Sequence, residues 1–366
     1  SRAMNKRIQD IISAILPPDE TAMEAARARQ LSLAKPPRSL GRLEELSIQI
    51  AGLTGRLDYR ADRRRILVFA SDNGVVEEGV ASAPQSVTLA QTINIARGLT
   101  GCGVLARHFH AETDVIDLGV NADFHAPGVR CEKIAHGTKN FAREPAMTRE
   151  QAERALCIGF DAVERAKADG IEILGVGEMG IGNTSTSSAV LSALLGLPAA
   201  ETVSRGGGVN DEGFLRKKEI IDRAIERYRP NPSDPVDVLS KVGGFDLCGM
   251  TGAFLAAAHH RIPVVIDGFI SVVAALCAAK MQPESVCAMI PSHASMERGY
   301  SRAMDALGLK PLLLMDMRLG EGSGCPIAFE IVSAAMDVLE NMATFAEAAI
   351  DDGYLQEIRD NERFQS

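Results

Sequence analysis

Short, nearly continuous apolar runs recur along this chain, separated by longer stretches in which apolar positions return every three or four residues. Six runs have the length and the β-branched content of buried strands: 65–70, 113–119, 171–176, 262–267, 285–290 and 312–317. The intervening segments 148–169, 185–195, 247–259 and 270–280 are rich in Ala and Leu at helical spacing. Strands apolar on both faces, alternating with helices, predict an α/β fold with a doubly wound, mostly parallel six-stranded sheet of the Rossmann-like kind. Residues 5–52 carry helical patterns broken at Pro17-Pro18 and Pro36-Pro37, and 325–348 reads as one long amphipathic helix. A catalytic α/β domain over 60–324 is therefore expected, with a small helical subdomain drawn from 4–59 and 325–366.

Composition narrows the function. Apolar residues make up 46% of the 366 but aromatics only 4%, with no Trp, so the core is expected to be aliphatic. A formal charge of −9 opposes phosphate-backbone binding, which argues against a nucleic-acid partner. The seven Cys are scattered without a C-x-x-C pair, as expected of buried free thiols in a reducing compartment, not of zinc or disulfide sites. The segment SRAMNKRIQD has no apolar signal core, and no apolar run is long enough to span a bilayer; the expectation is a cytoplasmic enzyme without membrane contact.

In an open parallel sheet, ligands gather beyond the carboxyl ends of the strands. Five of the six loops expected there are glycine-rich or polar: Ser71 to Gly74, Gly177 to Thr184, Asp267 to Phe269, Pro291 to Ser295, and Arg318 to Gly324. Gly175, Gly177 and Gly180 match GxGxxG, but no acid at the end of a following strand stands ready for a ribose, which counts against a dinucleotide. Gly180, Gly182, Asn183 and Thr184 ahead of a helix suit an anion cradle, or simply a capped turn. Gly206 to Gly208 precede a helix carrying Lys217, either a phosphate ligand or a solvated surface lysine. Asp246 suits ribose hydroxyls or an N-cap. Glu321, flanked by glycines, suits a desolvated general base or an exposed loop position. His293 lacks ligand-spaced partners and reads as a structural or loop histidine, with no metal implied. Met250 and the Met-rich run 312–317 read as core filling.

Several longer segments are distinctive together: KPPRSLGRLE from Lys35, GVVEEGVA (74–81), LTGCGVLA (99–106), VIDLGV (115–120), GVGEMGIGNTS (175–185), DVLSKVGGFDLCGMTG (237–252), DGFIS (267–271), IPSHAS (290–295) and RLGEGSG (318–324). In this order, over nearly the whole chain, they resemble the nicotinate-nucleotide:dimethylbenzimidazole phosphoribosyltransferase family. The resemblance implies transfer of phosphoribose from nicotinate mononucleotide to a benzimidazole without a cofactor. It also implies a homodimer whose second subunit helps enclose the site. It makes Glu321 the general base and Glu178 a second active-site carboxylate. The nucleotide positions are Gly180, Asn183, Thr184, Gly206, Lys217, Asp246, Gly268 and Ser295, with Gln91 at the acceptor pocket. Three positions depart from the family pattern: Asn73 for His, Ala83 for a pocket Ser, and Arg38 for Gly. The first two bear on which acceptor base is preferred.

Overall fold

The computed structural model describes residues 4–204 and 210–355. Three helices open the chain: α1 (Lys6–Ala14), α2 (Glu20–Ser32) and α3 (Arg42–Thr54). Strand β1 (Arg64–Ser71) follows, then α4 (Ser86–Ala96), α5 (Gly101–His108), β2 (Ala111–Gly119) and β3 (Val129–Cys131). Next come α6 (Arg149–Ala168), β4 (Ile173–Met179), α7 (Asn183–Leu195), α8 (Asp211–Tyr228), α9 (Pro235–Val242) and α10 (Phe245–His259). The chain continues through β5 (Val264–Ile266), α11 (Phe269–Met281), β6 (Met289–Pro291), α12 (Tyr300–Leu307) and α13 (Cys325–Asn341). None of the described helices is long and apolar enough to cross a membrane.

All strand pairs are parallel, in the order β3-β2-β1-β4-β5-β6. After β1 the chain first builds outward through β2 and β3, then returns to place β4 on the other flank of β1. That reversal leaves a crevice beyond the carboxyl ends of β1 and β4, where neighbouring loops diverge to opposite faces. The apolar runs explain why these strands are central: Ile66 to Ala70 are fully buried, as are Ile173, Leu174 and Val176. One face is covered by α6, α7, α10 and α11, whose residues share a large aliphatic core with Leu67, Phe69, Ile116 and Leu118. The other is covered by α3, α5 and α13, whose residues join Ile66, Val68, Val115 and Val265.

Five of the predicted strands are present, but 312–317 is not one of them. Leu313 makes only an isolated bridge to His293. Leu314 and Met315 are 84% and 54% exposed, so this run is not core filling, although Met250 is. Asp316 adopts φ +55°, which an extended strand does not accommodate. The sixth strand is instead β3, a short edge strand whose Arg130 and Cys131 are exposed. The cysteines are all free, as expected, yet only Cys102, Cys248, Cys277 and Cys325 are fully buried. The long C-terminal helix ends at Asn341, sooner than its pattern suggests.

The two ends of the chain meet: Leu33 bridges Thr344, Ala34 N–H donates to the Ala343 carbonyl at 2.9 Å, and Phe345 N–H donates to the Ser32 carbonyl at 3.0 Å. Helix α13 also lies on the sheet, where a side chain at Gly175 of β4 would collide with Cys325. Ile8, Ile11 and Ile15 of the N-terminal segment belong to the core on the opposite face.

Candidate active site

Each of four strands runs into buried polar groups at its carboxyl end. β1 runs into Asp72 and Asn73, β4 ends on Glu178, β5 runs into Asp267 and Gly268, and β6 into Ser292 and His293. Asp246 enters from the first turn of α10, and Glu321 from the loop before α13. Glu178, Asp246, Asp267 and Glu321 are all buried, with exposures of 7%, 0%, 1% and 3%. Four acids on separate elements thus converge where the chain reversal leaves room.

The amide of Asn183, first residue of α7, organises two of them. Its Nδ2 donates to Glu178 Oε1 and to Asp246 Oδ2, each at 3.1 Å. Glu178 Oε2 in turn accepts the Glu321 N–H at 3.3 Å. Close approach between β4 and the last loop requires Gly177, because a Cβ there would lie 2.5 Å from the Gly322 nitrogen. Glu321 itself takes φ +62°, between Gly320 at +86° and Gly322 at +88°. Three successive left-handed residues curl the loop so that the carboxylate points back under the sheet edge, where Oε1 lies 3.5 Å from the Cys102 N–H at the start of α5.

Electrostatics follow from burial. Desolvation pushes the Glu321 carboxyl above its ordinary range, opposed by hydrogen bonds from Thr100 and Cys102, while the charge of Asp267 raises it further. Glu178 is raised well above the usual carboxylate value by burial, with the Asp267 charge adding to it. Burial lifts Asp246 to about 6 despite the Asn183 hydrogen bond. At the other end of the cleft, Lys217 on α8 is buried, and desolvation lowers its ammonium to about 8. Its Nζ donates to Thr184 Oγ1 at 2.9 Å, one residue into α7, so a cation and a helix N-terminus face the same spot.

An open cleft lies between them, lined among others by Glu178, Asn183, Thr184, Gly268, His293, Ser295 and Gly320; Lys217 stands behind Thr184 and Glu321 follows Gly320, neither lining it directly. The sequence candidates Glu178, Asn183, Thr184, Gly268 and Ser295 therefore line one cavity, with Asp246 and Lys217 hydrogen-bonded to its walls. Gly180 sits so close to the Ser71 carbonyl that a Cβ would lie 2.2 Å from it. Gln91 is half-buried on α4, where it accepts from Asn94; α4 reaches the 180–184 loop through Thr88, whose Oγ1 accepts the Ile181 N–H at 3.0 Å. Ala83 is half-buried just before α4 and has no direct tie to the carboxylates. Gly206 lies outside the described residues.

Two groups were undervalued from sequence. Asp267 holds the loop of Glu321, accepting from Gly322 and Gly324, and His293 is fully buried on the cleft wall. The signal for Asp267 was its place directly after a strand, ahead of glycine. Of the three departures, Asn73 is fully buried, donating to the Ile181 carbonyl while its Oδ1 lacks a partner. Arg38 adopts φ +62°, the conformation that a glycine would take without strain.

A family model described as a phosphoribosyltransferase matches residues 15–350. The nicotinate-nucleotide–dimethylbenzimidazole phosphoribosyltransferase of Clostridium perfringens is 49% identical over 97% of this chain and 98% of its own. That of Chloroflexus aggregans is 48% identical over 93% and 97%. The crystal structure of CobT from Thermus thermophilus superposes with a TM-score of 0.88 at 41% identity, covering 91% of this chain and all of the other. Likeness of this extent, in sequence and in fold together, leaves one conclusion: the chain belongs to the nicotinate-nucleotide–dimethylbenzimidazole phosphoribosyltransferase family.

Proposed function

We propose that this protein transfers phosphoribose from nicotinate mononucleotide to dimethylbenzimidazole or a related base, releasing nicotinate and α-ribazole 5′-phosphate, with Glu321 as the general base. The observation that carries the reading is the cleft's polarity. On one side Thr184, backed by Lys217 and a helix N-terminus, suits a phosphate; on the other, next to Gly320, sits the buried Glu321 carboxylate with raised basicity.

The chemistry needs little more. In nicotinate mononucleotide the ring nitrogen is quaternary, so breaking its bond to C1′ yields a neutral pyridine nitrogen and requires no acid. The acceptor attacks through its imine nitrogen, and the proton on its other nitrogen must leave. Glu321 takes that proton, preventing a cationic product from accumulating. Attack opposite the departing nicotinate inverts the β-configured centre. Asp246 and Glu178, both tied to Asn183, suit ribose hydroxyls, which donate to carboxylates. Holding two rings on opposite faces of C1′ supplies much of the remaining acceleration, since alignment contributes about 7–11 kcal/mol in favourable cases.

A homodimer fits this reading. Leu99, Val104 and Leu319 are 58%, 49% and 58% exposed around the loop of Glu321, and Leu319 packs against Gly101. A second subunit seated there would exclude water from the base. Seven free cysteines support a reducing, cytoplasmic setting. Incubation with nicotinate mononucleotide and dimethylbenzimidazole, followed by chromatography for nicotinate and a ribazole phosphate, tests the activity. Folded protein that yields neither product with any of several benzimidazoles or purines would overturn it.

A further inference from the structure

The loop that carries Glu321 is held by a buried carboxylate set behind the cleft wall. Asp267 follows β5 and is 1% exposed. Its Oδ2 accepts the Gly322 N–H and its Oδ1 the Gly324 N–H, both at 2.9 Å. These two donors straddle the turn immediately after Glu321, and Gly324 is also the residue from which α13 starts. Asp267 is anchored in turn: its own N–H donates to Ser271 Oγ at 3.0 Å, and that hydroxyl donates to the Val176 carbonyl of β4. A rigid path therefore runs from the sheet, through Asp267, to the backbone around the base.

The loop needs such a clamp. Glu321 has φ +62°, a strained conformation for a non-glycine residue that persists only where its surroundings impose it. With Gly320 and Gly322 also left-handed, the turn is free to relax once its contacts are lost, and a relaxed turn would carry the carboxylate away from Cys102. An ionised carboxylate accepts two N–H bonds at once, whereas an amide has one acceptor oxygen and would turn an NH₂ toward the second N–H.

We propose that Asp267 is a positioning residue for the transfer: by accepting the Gly322 and Gly324 N–H groups it fixes the left-handed turn that presents Glu321 to the acceptor base. This rests on Glu321 being the base. The charged and titratable groups facing Asp267 are Glu178 from β4, Glu321 from the clamped loop, Cys102 from α5, Cys325 from α13 and His293, whose Nδ1 lies 3.9 Å from Oδ1. None replaces its two hydrogen bonds to the loop.

The test is a double-variant cycle in the full-length enzyme, read by kcat and by KM for nicotinate mononucleotide. Asp267→Asn is expected to lower kcat about 10²-fold, the loss typical of a misplaced catalytic group, with KM changed less than about threefold. In an enzyme that already carries Glu321→Gln, the same change is expected to cost less than about threefold, because the group being positioned is gone. Asp267→Glu, which keeps the charge but not the reach, runs in parallel. It is expected to show the same pattern, and it carries the test if the asparagine variant fails to give native circular dichroism. Losses that multiply in the double variant, or a raised KM with intact kcat, would overturn the clamp. Near-normal kcat in Glu321→Gln alone would sink the base assignment and the clamp with it, whereas a crippled Glu321→Gln beside a normal Asp267→Asn would sink the clamp only.

Discussion

The two ends of the sheet carry the same kinds of charge and treat them in opposite ways. At the amino ends, Arg65 pairs with Glu112 and Asp169, each at 2.8 Å, Arg64 with Glu330 at 2.6 Å, and Arg165 with Asp114 at 3.4 Å. Several of the acids there are more than half exposed: Glu112, Asp169 and Glu330 at 58%, 55% and 56%. At the carboxyl ends, Glu178, Asp246, Asp267 and Glu321 are buried, and none pairs with Lys or Arg among the described residues. Burying an unpaired carboxylate is expensive, and a fold under no other demand would replace it or pair it. The contrast separates charge that decorates a surface from charge held for chemistry.

The sharpest way to break this comparison is Glu321→Gln, expected to lower kcat by about 10²–10⁴-fold while binding of nicotinate mononucleotide, measured by calorimetry, is retained. Next is Lys217→Met, expected to raise KM for the donor about 10- to 100-fold with a smaller change in kcat, as befits loss of a charged hydrogen bond to phosphate. Two pH effects follow in steady-state profiles. Because Glu321 is raised and, as the proposed base, must be ionised to act, kcat/KM is expected to fall on acidification with a midpoint above the ordinary glutamate value of about 4.3. Because Lys217 is lowered to about 8 and, in its proposed role, must be charged to hold phosphate, donor affinity of the free enzyme is expected to weaken as pH rises through about 8. A flat profile from pH 7 to 9.5 would remove Lys217 from that role. The smallest effect belongs to the other end of the sheet: Asp169→Asn is expected to change stability by no more than about 1 kcal/mol in urea unfolding, leaving kcat untouched.

Much of this is legible in the sequence, and the exceptions have physical causes. The central strands announce themselves because both of their faces are covered, which forces nearly unbroken apolar sequence. The same signature misleads at 312–317, where exposed Leu314 and Met315 mimic a core strand. β3 is silent because an edge strand of three residues, two of them exposed, needs no apolar pattern. Most of the candidate site residues stand out as glycine-rich or acidic positions at strand ends, and the family resemblance sorted them. Asp267 was read only as part of a loop, since its partners are backbone N–H groups 55 and 57 residues away, which no side-chain pattern reveals.

The order of the chain gives α13 a role in timing. Its first turn begins where the loop of Glu321 ends, its Cys325 and Phe329 seat against Gly175 of β4, and the segment just beyond it, around Thr344, bridges Leu33 near the start of the chain. A nascent polypeptide still on the ribosome, or a fragment cut short before this helix, lacks the contacts that seat the loop of Glu321. With Glu321 as the proposed base, a chain lacking this final stretch is expected to do no transfer.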